Sequence, residues 1–237
     1  MMPRSIRIGH IPALLWGEAS GRLFIAVHGN LSHKADTVIK LFAKAATAKG
    51  FQVLSFDLPE HGGRKGEPTL CKVQPCVEEL RAVLAYAKTL ATDVSVFGCS
   101  IGAYFSLLAY SGESFSRALF LSPVVDMQRV IQNMMGWFGV SAAQLEARQA
   151  IPTPIGQTLY WDYYCYVKQH PVERWRTPTA ILYGSADELC ERDAVLDFSA
   201  RFGARLTVLE QGEHFFHTPE QLAFYETWLE NEFCANK

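Results

Sequence analysis

A serine, an aspartate and a histidine each stand just past a short apolar run of this chain. Together they have the makings of a nucleophile and its base. Ser100 lies in Gly98-Cys99-Ser100-Ile101-Gly102, a G-x-S-x-G match between the run at 94–97 and an apolar stretch with helical spacing. A strand that reverses sharply into a helix holds its serine hydroxyl above the sheet in a strained backbone conformation. Glycine is needed at 98 and 102 because larger side chains two residues from the serine would collide across so tight a turn. The free N–H groups of the helix N-terminus favour the negative charge that develops there. Such a turn can also cradle phosphate, but the chain has neither G-x-G-x-x-G nor Gly-Lys-Ser/Thr at this point.

A serine hydroxyl attacks poorly until a base takes its proton, and the base needs a carboxylate to fix its tautomer. The run at 180–183 is followed by Gly184-Ser185-Ala186-Asp187, and the run at 206–209 by Gln211-Gly212-Glu213-His214-Phe215-Phe216. Asp187 and His214 are therefore the candidate acid and base. His217 competes with His214 but sits where Thr218-Pro219 would begin a helix. Glu188 and Asp126 compete with Asp187. The run at 23–27 leads into His28-Gly29-Asn30, a turn able to aim a backbone N–H at the same spot. The amides of Asn30 and Ile101 are the candidate oxyanion donors, a role that contributes about 10²–10³ in rate per donor. His28, Asp57 and His61 read as loop organisers. His214 and His217 lack the intervening Glu of H-E-x-x-H, so no metal site is read.

The elements that must position these residues follow from the hydrophobic pattern. Six apolar runs, at 23–27, 53–56, 94–97, 118–121, 180–183 and 206–209, are almost continuous, as strands buried on both faces should be. Stretches with helical spacing at 36–49, 75–90, 101–110, 192–202 and 219–233 alternate with them. The opening segment, 6–16, reads as one or two antiparallel strands. Strand-helix alternation predicts an α/β fold, and the carboxyl ends of its strands are where a site should lie. From about 126 to 175 no strand-like run appears, and that stretch reads as a helical cap inserted into a single 1–237 domain. Its aromatic residues Trp137, Tyr160, Trp161 and Tyr164 either pack the cap helices or are pocket residues for acyl or aryl groups.

These motifs resemble those of the α/β-hydrolase superfamily, in its smaller esterase-, lipase- and serine-peptidase-like branch. The resembling residues are His28-Gly29-Asn30, Phe56-Asp57-Leu58-Pro59-Glu60-His61-Gly62, the serine turn, Gly184-Ser185-Ala186-Asp187 and Gly212-Glu213-His214-Phe215. The chain order Ser100, Asp187, His214 also suits that scaffold. The resemblance implies a mostly parallel eight-stranded sheet flanked by helices, with the cap between the sixth and seventh strands. It implies hydrolysis of an ester of a small acyl substrate through an acyl-enzyme, without metal or organic cofactor. A thioesterase, an acyltransferase and an amide or peptide hydrolase would use the same residues. A small-ligand binding module on this fold would not need all three.

Bulk properties agree with a small-molecule enzyme. The chain has 237 residues, 49% hydrophobic and 19% charged, enough for a sizeable core and too little charge for disorder. A net charge of −2 without a run of like charges points away from nucleic acid and anionic membranes. The N-terminal residues lack the apolar stretch of a signal peptide, and no window is long and apolar enough to span a bilayer. The expectation is a cytoplasmic protein whose six cysteines are free thiols, mostly structural.

Overall fold

Strands that are apolar on both faces need helices on each side of their sheet. The computed structural model, which describes residues 2–234, has that arrangement. Strands β1 (Arg4–Ile8), β2 (Ile11–Trp16), β3 (Arg22–Val27), β4 (Gln52–Phe56), β5 (Asp93–Cys99) and β6 (Ala118–Leu121) come first. Two short strands, β7 (Ala150–Pro152) and β8 (Thr158–Tyr160), form a separate hairpin, and β9 (Thr179–Gly184) and β10 (Arg205–Leu209) return to the main sheet. That sheet has eight strands in the order β1-β2-β4-β3-β5-β6-β9-β10. β1, β2 and β4 pair antiparallel, and all other neighbours are parallel.

The period of two along a strand sorts its side chains between two cores. Phe24 and Ala26 of β3 face α1 (Thr37–Ala48) and α8 (Pro219–Cys234), where Phe42, Tyr225, Trp228 and Phe233 fill the space. Leu23, Ile25 and Val27 face the other way, toward α2 (Val73–Leu90) and α3 (Ile101–Ala109). Phe24 meets Phe42 edge-on at 5.1 Å, and Phe42 stacks on Phe97 at 4.1 Å. Burying each such ring stabilises the fold by roughly 1.5–3 kcal/mol. β10 ends the sheet and is only half-buried, which its alternating Leu206, Thr207, Val208 pattern tolerates.

Between β6 and β9 lie α4 (Met127–Trp137), α5 (Ala142–Arg148), the β7–β8 hairpin and α6 (Trp161–Gln169), with α7 (Arg192–Phe202) after β9. The expectation that 126–175 contains no strand is therefore corrected. Each hairpin strand has three residues, too short to show an alternating period, and the flanking Pro152 and Pro154 read as breakers rather than as a turn. Gly156, at φ 78°, and the Thr153 N–H···Gln157 O bond of 2.7 Å close the loop.

The strand order also creates the place for a site. The chain leaves β3 for β4 on one side, then crosses back to β5 on the other. α1 follows β3 onto one face and α3 follows β5 onto the opposite face. A crevice opens beyond the carboxyl ends of two parallel strands where such a reversal occurs. His28-Gly29-Asn30 and Ser100 leave β3 and β5 at that point.

Candidate active site

Ser100 links β5 directly to α3 and adopts φ 51°, ψ −119°, a conformation that costs a non-glycine residue about 1–3 kcal/mol. Backbone bonds hold it there. Its N–H donates to Leu121 O at 3.0 Å, and its carbonyl accepts from Ala103 N–H at 3.1 Å and Val124 N–H at 3.2 Å. A Cβ on Gly98 would lie 2.7 Å from Ala103 Cα, so that glycine answers to the turn itself. Gly102 answers to a different neighbour: its Cβ would lie 2.4 Å from Val27 O, at the end of β3. The collision across the turn expected for both glycines holds for Gly98 only.

The loops after β9 and β10 are laced together by Ser185 N–H to Leu209 O at 2.9 Å and Ala186 N–H to Gly212 O at 2.8 Å. That lacing sets Asp187 beside His214. Asp187 Oδ2 accepts from His214 Nδ1 at 2.7 Å, and His214 Nε2 meets Ser100 Oγ at 2.8 Å. The Asp187 side chain has no solvent exposure, and a buried carboxylate needs its lone pairs filled. Its Oδ1 accepts from Leu189 N–H at 2.9 Å and Cys190 N–H at 2.8 Å. With Nδ1–H donating to the carboxylate, Nε2 is left free to accept the Ser100 proton.

The rival residues lie elsewhere. Asp126 caps α4, accepting from Arg129 N–H at 3.0 Å. His217 is half-exposed, with its Nδ1–H donating to Phe215 O at 2.8 Å. Among the described residues, the backbone N–H groups of Asn30 and Ile101 have no hydrogen-bond partner. Gly29 brings the first of these close, since a Cβ there would touch Ser100 Cβ at 3.3 Å.

Two histidines brace the Asn30 loop. His28 is fully buried, donating from Nδ1 to Gly29 O at 2.7 Å and accepting Leu58 N–H on Nε2 at 3.0 Å. Burial holds its pKa down to about 3, so the ring is neutral. His61 accepts Leu31 N–H on Nε2 at 3.1 Å and donates from Nδ1 to Pro59 O at 2.7 Å. Asp57 is buried too, yet Lys34 Nζ and the N–H groups of Lys34 and Gly63 hold its carboxyl below the usual range.

The aromatic residues of 126–175 divide. Tyr164 is buried, its hydroxyl accepting from Gln132 Nε2 at 3.3 Å, and Trp161 packs against it at 5.9 Å. Lys72 Nζ sits 4.0 Å over the Tyr160 ring, while Trp137 is 52% exposed. A cavity of about 240 Å³ is lined by Tyr104, Asp126, Arg129, Val167, Asp197 and Arg201 among others, but not by Ser100, Asp187 or His214. None of the four candidate aromatics lines it.

Among the described residues, Asp187, Cys190 and His214 bring metal-ligating atoms within 4.8 Å of one another. Their chemistry fits a proton network better. Both Asp187 oxygens are engaged by the Leu189 and Cys190 amides and by His214 Nδ1, and His214 Nε2 faces Ser100 Oγ.

Comparison with known proteins agrees with this architecture. The profile of the alpha/beta hydrolase family matches residues 24–226, and the chain belongs to that family. Est1E from Butyrivibrio proteoclasticus, solved with ferulic acid bound, is similar with a TM-score of 0.81 at 20% identity, over 98% of each chain. Mouse alpha/beta hydrolase domain-containing protein 10 is similar at 0.78 and 14% identity over 100% of both chains. An esterase from Pyrococcus furiosus gives 0.71 at 17% identity, covering 99% of this chain and 90% of its own. No curated protein matches the chain. No helix among the described residues is long and apolar enough to cross a membrane.

Three features of the site and its surroundings are not evident from the motifs. The Leu189 and Cys190 amides that hold Asp187 were legible in principle, because Asp commonly accepts from N–H groups two and three residues on. The His61 bond to Leu31 N–H and the contact between Cys71 and Cys76 join separate loops and leave no local signal.

Proposed function

We propose that this protein is a serine hydrolase that cleaves an ester bond of a small acyl substrate. The observation that carries the reading is the continuous hydrogen-bonded line from Ser100 Oγ through His214 to Asp187, with links of 2.8 and 2.7 Å. His214 Nε2 takes the Ser100 proton as Oγ attacks the carbonyl carbon. The N–H groups of Asn30 and Ile101 stabilise the tetrahedral oxyanion, and His214 returns the proton to the leaving alcohol. Water, deprotonated by the same imidazole, then releases the acid and frees Ser100. Asp187 holds the Nδ1–H tautomer and balances the imidazolium charge. The 126–175 segment, inserted between β6 and β9, serves as a cap.

The test is turnover of p-nitrophenyl esters from acetate to decanoate together with methyl ferulate, chosen because ferulic acid occupies the similar Est1E. Wild-type protein should hydrolyse at least one of these, and the rate should vary with acyl length or aromatic content. Ser100→Ala should lose nearly all of it while remaining folded. Equal rates in the two proteins would overturn the assignment. A thioester turned over faster than its oxygen ester would shift the substrate class and leave the residue roles unchanged.

A further inference from the structure

Cys71 and Cys76 stand five residues apart, outside the spacing of a C-x-x-C pair. The fold nevertheless places their sulfurs 3.7 Å from each other. Cys76 lies in the opening turn of α2, fully buried, and Cys71 lies in the preceding loop, partly open to solvent. The loop is tied down on both sides of Cys71. Its own N–H donates to Glu60 Oε2 at 2.6 Å, and Lys72 Nζ pairs with Asp162 at 2.8 Å. No other cysteine pair among the described residues makes a sulfur–sulfur hydrogen bond.

The two thiols are chemically unlike. The Cys76 thiol 3.7 Å away and then the nearby His61 ring hold the Cys71 thiol down to about 6 against the pull of burial and the repulsion of Glu60. Burial pushes Cys76 well above the ordinary thiol range, aided by Cys71 and Glu79 and opposed by Arg64. Burial pulls His61 down, but the nearby Cys71 thiol and the bond to Pro59 O outweigh that, and its pKa is raised. Tyr163, also close by, is kept protonated by burial. Either sulfur could donate across the 3.7 Å contact, and the opposite shifts make Cys71 the better acceptor and Cys76 the better donor. This is the division of labour between an attacking and a resolving thiol.

We propose that Cys71 and Cys76 form a peroxide-responsive dithiol that closes to an intramolecular disulfide. Cys71 Sγ attacks one oxygen of a hydroperoxide and the O–O bond breaks. The other oxygen leaves with a proton as alcohol or water, and Cys71 becomes a sulfenic acid. Cys76 sulfur then attacks Cys71 sulfur, the S–O bond breaks, and the oxygen departs as water with the thiol proton. The dithiol loses two electrons and the hydroperoxide gains them. Closing from 3.7 Å to a bond of about 2.05 Å brings the sulfurs together by less than 2 Å, and Cys71 lies outside any helix or strand. Nothing in this step involves Ser100, so it stands apart from the hydrolase reading.

The experiment exposes reduced full-length protein to one equivalent of hydrogen peroxide, alkylates remaining thiols and maps tryptic peptides. Lys72 separates the two cysteines, so the disulfide should appear as peptides 66–72 and 73–81 joined, with dithiothreitol releasing them. In Cys76→Ser the reaction should stop at a Cys71 sulfenic acid that dimedone traps. In Cys71→Ser, whose altered side chain is only partly buried, Cys76 should stay reduced. Raising pH from 6 to 9 should speed iodoacetamide alkylation of Cys71 about twofold, against roughly 200-fold for an unperturbed thiol. Oxidation at other cysteines while 71 and 76 remain alkylatable would overturn the proposal. So would a Cys71 alkylation profile that matches an unperturbed thiol.

Discussion

Replacing Asp187 by Asn changes one atom and leaves the space filled, so its effect isolates the proton arrangement. The carboxylate accepts three hydrogen bonds, two on Oδ1 from the Leu189 and Cys190 amides and one on Oδ2 from His214 Nδ1. An amide can satisfy the two backbone donors only by placing its oxygen at the Oδ1 position. Its NH₂ then points at His214 Nδ1, which must become an acceptor. The ring proton moves to Nε2, where it faces Ser100 Oγ at 2.8 Å and blocks proton uptake. The opposite flip would set NH₂ against two N–H groups in a fully buried position, leaving donors unpaired at about 1–3 kcal/mol each. The wrong tautomer is therefore the stable one. Its cost should approach 10⁴-fold in kcat, or roughly 5 kcal/mol of transition-state stabilisation. Because the backbone bonds survive, the melting temperature should fall by no more than about 4 °C. The assay is steady-state hydrolysis of the best ester from the panel, with thermal unfolding alongside. A variant keeping more than a tenth of wild-type kcat would refute the role given to Asp187.

Other expectations reach different parts of the structure. Gly102→Ala places a methyl 2.4 Å from Val27 O, so β3 and α3 must separate. The overpacking cost of about 1–3 kcal/mol should appear as a Tm loss of several degrees, and an unchanged Tm would contradict the packing described. His28 binds a proton near pH 6.5 when unfolded but only near 3 when folded, so its contribution is present above 6.5 and lost as pH falls toward 3. Between pH 6.5 and 5 this amounts to about 2 kcal/mol. Urea unfolding at those two pH values should show the loss in wild type and a smaller one in His28→Asn; identical slopes would remove His28 from the account.

Much of this architecture is legible in the residues because it rests on local causes. The runs at 118–121 and 180–183 read as strands buried on both faces, and they are β6 and the centre of β9. The helix read at 36–49 includes its own caps, Asp36 and Lys49, either side of Thr37–Ala48. The region 126–175 was harder, because three-residue strands carry no period and an aromatic cluster suits a helix as well as a hairpin. The meeting of Ser100 with His214 joins residues 114 positions apart, and only the expectation that strand ends converge makes it readable. The need for glycine at 102 comes from β3 passing alongside, a tertiary fact that the local turn does not show. The pairing of Cys71 with Cys76 leaves no mark in the sequence for a similar reason: the loop fold that joins their sulfurs depends on Glu60 and Asp162.

The measurement closest to the central claim is reaction of the folded protein with a fluorophosphonate, followed by peptide mapping of the adduct. Such a reagent captures a serine whose hydroxyl is deprotonated by a neighbouring base and whose oxyanion is stabilised. The account requires a single adduct on Ser100, formed quickly in the wild type and at least a hundredfold more slowly in His214→Ala. No adduct on Ser100, or equal labelling rates in the two proteins, would contradict it.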